Sequence, residues 1–242
     1  MHRYFFYVSP GKIQNDTAIL EGDEFRHCIH VLRKITGDEI SLFNGRGEIF
    51  TSAIERIAKK YCECRIISTE KIRKPISTDI VLAFGLIKSK ALDLVIREAS
   101  ALGVGQFVPL FTQHSVKQGF NSDRMQKIAI ESLKQSGNFY LPEIHEPVEL
   151  SDWLDMAISV SVKLVAEQDH SISLQTALTK QIDHKKVAIL IGPEGGLHSD
   201  EIESAVIKGF TPVSIHPYRL RTELAAIVAI ASIYAYIKQR EG

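Results

Sequence analysis

The spacing of apolar and polar positions changes near residue 75. Before this point, apolar residues alternate with polar ones over short stretches, which is typical of β-strands. Strands are predicted at residues 39–44, 48–55 and 61–68. The Asn44-Gly45-Arg46-Gly47 sequence between the first two indicates a hairpin turn, and a short helix is predicted over about residues 23–35. Residues 1–72 are therefore predicted to form a small β-rich domain, followed by a linker at Lys71–Pro75.

After Pro75, continuous apolar strands alternate with amphipathic helices. The predicted strands are 80–86, 107–110, 161–166, 187–191 and 211–215, and the predicted helices are 89–102, 121–136, 171–180, 199–208 and 222–238. Gly103 is expected to end the first of these helices, and Ser199 and Thr222 are the predicted N-caps of the last two. Strands that are apolar throughout favour a mostly parallel sheet covered on both faces. Residues 75–242 are therefore predicted to form an α/β domain.

Composition and charge exclude several classes of protein. Hydrophobic residues make up 45% of the 242 residues and charged residues 24%, which is typical of a folded domain. The 29 basic residues balance the 29 acidic ones, so the chain is not a globally basic nucleic-acid coat protein, although a local basic face is still allowed. The longest nearly continuous apolar run, Leu224–Ile237, is shorter than the roughly 20 residues that span a bilayer. We therefore expect a cytoplasmic protein without a membrane segment.

The cysteine and histidine residues do not predict a metal site. Three cysteines make a disulfide framework improbable in so long a chain. Cys62 and Cys64 lie two apart in a predicted strand, on one face, and are interpreted as small buried residues. Zinc binding by this pair is the weaker alternative, because no further Cys or His cluster completes a zinc spacing. His27 and His30 likewise have no third ligand nearby.

The sharpest local feature is Gly192-Pro193-Glu194-Gly195-Gly196, which follows directly on the predicted strand 187–191. The glycines and the proline of this segment fix an unusual turn and allow a ligand to approach the backbone closely. The carboxyl ends of parallel strands are also where α/β sheets bind ligands. A tight strand-to-helix turn without any ligand is the alternative interpretation.

The second feature joins the last predicted strand to the last helix and runs from Tyr218 to Ala225. Arg219, Arg221 and Glu223 gather polar groups at the start of that helix. A structural ion pair between Arg221 and Glu223 is the alternative to a functional role. The helix itself is apolar nearly all round, which predicts burial on several sides, in the core or against a partner subunit.

The third feature is the short predicted helix at 23–35. Helical spacing places Arg26, His30 and Arg33 on one face, with His27 and Lys34 beside them. The opposite, apolar side is predicted to consist of Phe25, Cys28, Leu32 and Ile35. Such a basic stripe is either a solvated face or a surface that contacts phosphates.

Together these segments resemble the bacterial small-subunit (16S) ribosomal RNA uridine-N3 methyltransferases of the SPOUT class, over nearly the whole length. The N-terminal and central matches are Arg26-His27, Val31-Leu32-Arg33, Gly37-Asp38, Asn44-Gly45-Arg46-Gly47, Lys88, Glu98 to Val104, Gln135-Ser136-Gly137 and Leu141-Pro142. The most specific matches are Ile191 to Gly196, Glu201, Leu220-Arg221-Thr222-Glu223 and Ala225. Departures from the family pattern occur at His216 to Arg219, at Leu224 and at Asn138.

The resemblance implies a PUA-like β-barrel over residues 1–72 and a trefoil-knotted SPOUT α/β domain over residues 75–242. It implies a homodimer that methylates N3 of a uridine in ribosomal RNA, within the assembled small subunit. It also implies S-adenosylmethionine as cofactor and no metal. The implied catalytic residues are Arg221 and Glu223. The implied cofactor-binding residues are Ala166, Glu167, Ile191, Gly192, Pro193, Glu194, Gly195, Gly196, Ile215, Leu220, Leu224 and Ala225. The implied RNA-binding residues are Arg3, Arg26, His27, Arg33, Arg46 and Lys88.

Two other functions are compatible with the same sequence. One is a non-catalytic RNA-binding or ribosome-assembly protein that keeps the fold. The other is a SPOUT methyltransferase with a different RNA target, such as a ribose or a transfer RNA base. A measurement of cofactor binding distinguishes the non-catalytic protein from an enzyme. Analysis of the modified RNA distinguishes a methyltransferase with another target.

Overall fold

The computed structural model describes residues 4–117, 119–168, 170–180 and 185–241, with the side chain of Ile158 left out. The chain divides into two compact units. The first consists of residues 1–74 and 133–141, and the second of residues 75–132 and 142–242. The division after Lys74 lies in the predicted linker. Residues 133–141 lie within the α/β part of the sequence, but they belong to the first unit.

The first unit contains a six-stranded sheet. Its strands are β1 (Phe5–Tyr7), β2 (Ile13–Gln14), β3 (Thr17–Glu21), β4 (Glu39–Phe43), β5 (Glu48–Ile57) and β6 (Tyr61–Lys71). The strand order is β1-β4-β5-β6-β3-β2, and every pair is antiparallel except β1 with β4. The three predicted strands and the hairpin between the first two are confirmed. The short strands β1 to β3 were not predicted, because two to five residues carry too little alternation to recognise.

Alternate residues of these strands form the core of the first unit. Phe6, Leu20 and Leu42 are fully buried there, together with Cys62 and Cys64. The two cysteine sulfurs lie 3.8 Å apart, which confirms that both point to one buried face.

The helix predicted over residues 23–35 is shorter and differently wound. A single turn, α1 (Gly22–Phe25), continues as a π-helical segment, Arg26–Val31, in which the Leu32 N–H donates to the His27 carbonyl. Arg33 then adopts a left-handed φ of 55° and lies outside the helix. The predicted stripe of Arg26, His30 and Arg33 is therefore wrong as a helical face, because the π-turn changes the angular step and the helix ends first.

The apolar side of this segment also differs from the prediction. Phe25 and Cys28 are buried, but Ile35 is 65% exposed. Ile35 follows the left-handed turn at Arg33, so it no longer shares a face with Phe25 and Cys28. Burial raises the pKa of the Cys28 thiol to about 12, which keeps this cysteine neutral and unreactive.

The glycines of the β4–β5 hairpin are required by the segment that packs on it. Both Gly45 and Gly47 have positive φ, and a Cβ on Gly47 would overlap the Tyr140 ring. The Gly47 N–H donates to the Phe139 carbonyl, and the Leu141 N–H donates to the Gly45 carbonyl. Residues 139–141 are thus bonded to the turn, which explains their place in the first unit.

The second unit contains a seven-stranded sheet in which every strand pair is parallel. Its strands are β7 (Asp79–Gly85), β8 (Gln106–Phe111), β9 (Glu143–Ile144), β10 (Val148–Glu149), β11 (Val162–Ala166), β12 (Lys186–Ile191) and β13 (Thr211–Val213). The order is β10-β8-β7-β12-β11-β13, with β9 pairing to β8. The predicted α/β class and parallel sheet are confirmed.

Helices cover both faces of this sheet. They are α2 (Ser89–Ala101), α3 (Ser122–Ser136), α4 (Leu150–Met156), α5 (Leu174–Thr179), α6 (Ser199–Ile207) and α7 (Thr222–Glu241). One set of alternate strand residues, including Val81 and Ala188, packs with α4 and α6 around Trp153. The other face carries α7, which contacts β7 and β12 and packs beside α2. The short helix α4 was not predicted.

Of the three predicted helix caps, one is observed and two are wrong. Gly103, with φ 87°, ends α2 as predicted, and the Val104 N–H donates to the Ala99 carbonyl across it. The predicted N-cap Ser199 is wrong, because the His198 ring accepts from the Asp200 N–H one residue earlier. The predicted N-cap Thr222 is wrong as well.

Thr222 is instead the first helical residue of α7 and is buried. The residue before it, Arg221, provides the carbonyl that accepts from the Ala225 N–H. Arg221 thus holds the N-cap position through its backbone alone.

Candidate active site

A cleft of ≈ 1340 Å³ opens at the carboxyl ends of β11 and β12. The loops that follow these strands form two of its walls, at Ala166–Gln168 and Ile191–Leu197. The loop Ile215–Arg221 and the first turn of α7 form the third wall, and the first turns of α2 close the fourth. Parallel strands deliver all these loops to the same edge of the sheet, where α/β folds bind ligands.

The Gly192–Gly196 turn is packed tightly on its protein side. The Gly196 N–H donates to the Pro193 carbonyl at 2.8 Å. A Cβ on Gly192 would lie 2.8 Å from the Leu197 nitrogen, and a Cβ on Gly85 would lie 2.5 Å from Cδ of Pro193. Glycine at these positions lets the turn fold back on itself and seat against the end of β7.

Gly196 differs from its neighbours. Its φ is 76°, which favours glycine, yet a Cβ built there meets no protein atom within 4 Å. Gly196 also lines the cleft. The open side of the turn therefore presents backbone without side chains.

Three side chains link this turn and the segment after it to the rest of the second unit. The His114 ring nitrogen Nδ1 lies 3.1 Å from the Gly196 carbonyl. The Glu194 carboxylate accepts from the Lys88 N–H at the start of α2. The Glu201 carboxylate accepts from the His198 N–H and the Gln113 N–H, both at 2.8 Å.

These supports tie the turn to the start of α6 and to the loop after β8. The resemblance had marked Glu201, whereas His114 was missed. No local signal could have found it, because His114 and Gly196 are 82 residues apart and meet only through the sheet.

Arg221 and Glu223 lie in the cleft wall at the start of α7. Among the residues that the structure describes, neither side chain forms an ion pair, so the structural pairing considered from the sequence is not observed. Glu223 stands in the first turn, where the positive end of the helix dipole favours a carboxylate. The Arg221 guanidinium is thus free to meet a group that enters the cleft.

The structure brings most of the residues singled out from the sequence into this one cleft. Those present are Ala166, Glu167, Ile191, Gly192, Pro193, Glu194, Gly195, Gly196, Ile215, Leu220, Arg221, Glu223, Ala225 and Lys88. Leu224 is not among the lining residues and is 46% exposed. The cleft also contains five residues that the sequence did not indicate, which are Lys90, Ala91, Leu94, Gln168 and Ile202. Segments that the sequence had singled out contribute Leu197, His216, Tyr218, Arg219 and Thr222 as well.

The other basic residues singled out from the sequence belong to the first unit. Arg26 is exposed and forms an ion pair with Asp23, and the half-buried His27 ring contacts Phe6 edge to face. Arg33 and Arg46 are exposed, and the Arg46 N–H donates to the Asn44 side chain within the hairpin. Arg3 lies outside the described residues.

Over residues 4–117, 119–168, 170–180 and 185–241, no three His, Cys, Asp or Glu side chains come together as a metal site. Within these ranges, no helix has the length and apolar character needed to cross a membrane.

Comparison with known families assigns the chain to a class of RNA-modifying enzymes. An RNA methyltransferase domain matches residues 74–234, and an RNA methyltransferase PUA domain matches residues 20–67. The chain therefore belongs to the RNA methyltransferase family with an N-terminal PUA domain.

Individual relatives match over nearly the whole chain. Ribosomal RNA small subunit methyltransferase E of Buchnera aphidicola is 30% identical over 87% of this chain and 85% of its own length. The protein of that name from Aquifex aeolicus is 29% identical over 96% and 98%. The Neisseria gonorrhoeae structure of that name, bound to S-adenosyl methionine, is 25% identical with a TM-score of 0.84 over 97% and 98% of the two chains. A Legionella pneumophila protein with bound cofactor SAM is 30% identical, with a TM-score of 0.85 over 97% and 98%.

Proposed function

We propose that this protein transfers a methyl group from S-adenosylmethionine to N3 of a uridine in small-subunit ribosomal RNA. The observation that carries the proposal is the cleft, which combines a side-chain-free turn at Gly196 with the unpaired Arg221 guanidinium. The matching family and the cofactor-bound structures of relatives support it.

The chemistry of the cleft walls fits S-adenosylmethionine. Ile191, Leu197 and Leu220 offer apolar surface to an adenine ring, and the open backbone of Gly192–Gly196 offers N–H and carbonyl groups. Glu167 stands in the same cleft, where a carboxylate complements the positive charges of the cofactor. We propose that Ala166, Glu167, Ile191 to Gly196, Ile215, Leu220 and Ala225 hold the cofactor, with Leu224 next to them at the rim. When bound, the cofactor supplies a methyl group on a positively charged sulfur.

The residues of the chain then have two tasks, which are alignment and removal of the uracil N3 proton. Alignment lowers the barrier because a positioned nucleophile no longer loses translational freedom in the reaction. Loss of the N3 proton leaves a negative charge shared with the uracil oxygens, which a nearby guanidinium stabilises. We assign this role to Arg221, with Glu223 orienting it or receiving the proton.

The N-terminal unit is proposed to hold the RNA through Arg3, Arg26, His27, Arg33 and Arg46, and Lys88 to do so at the cleft. Arg26 would exchange its ion pair with Asp23 for a phosphate contact. A uridine inside folded RNA must be extruded from its stack before its N3 edge can enter the cleft. We expect the protein to act in the cytoplasm, where ribosomal subunits assemble. From the resemblance we also infer that the loops around the cleft form a trefoil knot.

Arg46 and Arg33 should contribute phosphate contacts. Replacing either with alanine is expected to weaken binding to small-subunit ribosomal RNA and to reduce the slope of log affinity against log salt by about one. Binding measured at several salt concentrations checks this. Arg65→Ala is the matched control, because Arg65 is in the same unit, is paired with Glu55 at 2.8 Å and is not one of the proposed RNA contacts. An unchanged salt slope in the Arg46→Ala and Arg33→Ala proteins would show that neither residue contacts the RNA.

A homodimer is the second part of the proposal. Only one side of α7 is buried, at residues such as Ala226, Ile230 and Ile233, while Leu224 on another side is exposed. An apolar helix face left uncovered within one chain is suited to an obligate interface. We expect a dimer at micromolar concentration by analytical ultracentrifugation, and Leu224→Glu should shift it toward monomer. A wild-type monomer under these conditions would count against the dimer.

Mass spectrometry of ribosomal RNA tests the proposed function directly. RNA from cells with and without the gene should differ by one methyl group on a small-subunit uridine, and fragmentation should place it on N3. Methylation of a ribose or of a transfer RNA would support the other SPOUT target. An unchanged RNA together with no cofactor binding in calorimetry would support the non-catalytic alternative.

A further inference from the structure

An aromatic side chain projects from the cleft wall without packing on the core. Tyr218 is 76% exposed, the highest value among the large apolar side chains that the structure describes. Scattered exposed side chains are ordinary on protein surfaces. Tyr218, however, lies in the loop between β13 and α7 that lines the cleft, so its exposed ring faces the region where substrate is proposed to enter.

The Tyr218 ring is held by its neighbour rather than left free. The His216 and Tyr218 ring centroids are 5.6 Å apart, with their planes inclined by 47°. The Tyr218 N–H donates to Nδ1 of His216 at 3.1 Å, and the Ser214 hydroxyl donates to the His216 carbonyl at 3.3 Å. Pro217 lies between the two rings in the chain and fixes its own φ. The pair is therefore arranged before any ligand arrives.

Cationic side chains line the same cleft as this pair. Arg219 and Arg221 follow it in the loop, and Lys88 and Lys90 stand at the start of α2. Aromatic faces among basic groups are the chemistry by which proteins bind unstacked nucleotides, because the rings stack on bases while the cations meet phosphates. An apolar peptide would leave these cations without partners.

We propose that Tyr218, supported by His216, stacks on a nucleobase of the RNA substrate at the mouth of the cleft. The inference rests on the proposed function for the identity of the substrate and adds a residue that selects for an unstacked base. Stacking raises the affinity for RNA through the flat surface of the ring, so the tyrosine hydroxyl group is not required. The contact also releases no counterions from the RNA.

The test compares Tyr218 variants in binding to transcribed small-subunit ribosomal RNA in the presence of S-adenosylhomocysteine. Loss of one stacked base typically corresponds to about 5- to 150-fold in affinity. Tyr218→Ala should lose affinity in this range, Tyr218→Leu should lose nearly as much, and Tyr218→Phe should retain wild-type affinity. The salt slope should stay unchanged in all three, whereas Arg219→Ala should reduce it by about one. Calorimetry with S-adenosylmethionine should give wild-type cofactor affinity for each Tyr218 variant.

Several results would overturn the inference. Wild-type RNA affinity in Tyr218→Ala would show that the ring does not contact RNA, and equal losses of RNA and cofactor affinity would show that it supports the loop. A reduced salt slope would assign the effect to electrostatics. The methylated product of the wild-type protein is analysed separately by mass spectrometry. A product other than N3-methyluridine would contradict the proposed function. The stacking inference would still be decided by the binding measurements alone.

Discussion

Replacing Arg221 with alanine should slow methyl transfer about 100- to 1000-fold, as is typical when one donor to a developing anion is removed. The experiment is single-turnover methylation at saturating RNA and cofactor. The side chain can be removed without disturbing the start of α7, because Arg221 caps that helix through its carbonyl group. The guanidinium also forms no ion pair among the described residues, so its loss leaves no buried partner charge uncompensated.

Two further variants show whether the effect belongs to the chemical step. Arg221→Lys should recover only part of the rate, because an ammonium group is a point charge without the planar fork of a guanidinium. Arg219→Ala removes a cation from the same loop and cleft and should affect RNA affinity rather than the single-turnover rate. If Arg221→Ala loses RNA or cofactor binding and keeps its rate, Arg221 is a positioning residue and not a catalytic one.

The sequence predicted the residues of the cleft better than it predicted their supports. Gly192 to Gly196 follow a strand, and Arg221 and Glu223 stand at the start of a helix. The carboxyl ends of parallel strands meet by the geometry of the sheet. His114 could not be predicted in the same way. Its contact with Gly196 depends on β7 lying between β8 and β12, and strand order is not encoded in local periodicity.

Local predictions failed where backbone conformation departs from the regular forms. Helical periodicity at 23–35 predicts a uniform α-helix, but the π-turn at Arg26–Val31 and the left-handed Arg33 end it early. Arginine has no particular preference for the left-handed conformation, so the sequence does not predict this early end of the helix. The Asn44–Gly47 hairpin was predictable for the opposite reason, since Asn and Gly are the residues that its turn favours.

Gly196→Val is expected to abolish S-adenosylmethionine binding while the protein stays folded. A Cβ at Gly196 would meet nothing within 4 Å, so the valine side chain would start on the open side of the turn, where the cofactor is proposed to approach the backbone. The φ of 76° adds strain for a branched residue, of the order of 1–3 kcal/mol. Calorimetric titration with the cofactor measures the loss, and a thermal melt measures the fold.

Strain and obstruction can be separated with a matched glycine. Gly209 has φ 86°, and a Cβ there also meets nothing within 4 Å, yet Gly209 is outside the cleft. Gly209→Val should therefore lower stability by a similar amount and keep wild-type cofactor affinity. Gly196→Asn, a residue that tolerates the left-handed region, should relieve most of the strain but still lose binding because its side chain occupies the same space. Wild-type affinity in Gly196→Val would show that the turn is not part of the cofactor site. Recovery of binding in Gly196→Asn would show that the turn needs glycine for its conformation and not for the approach of the ligand.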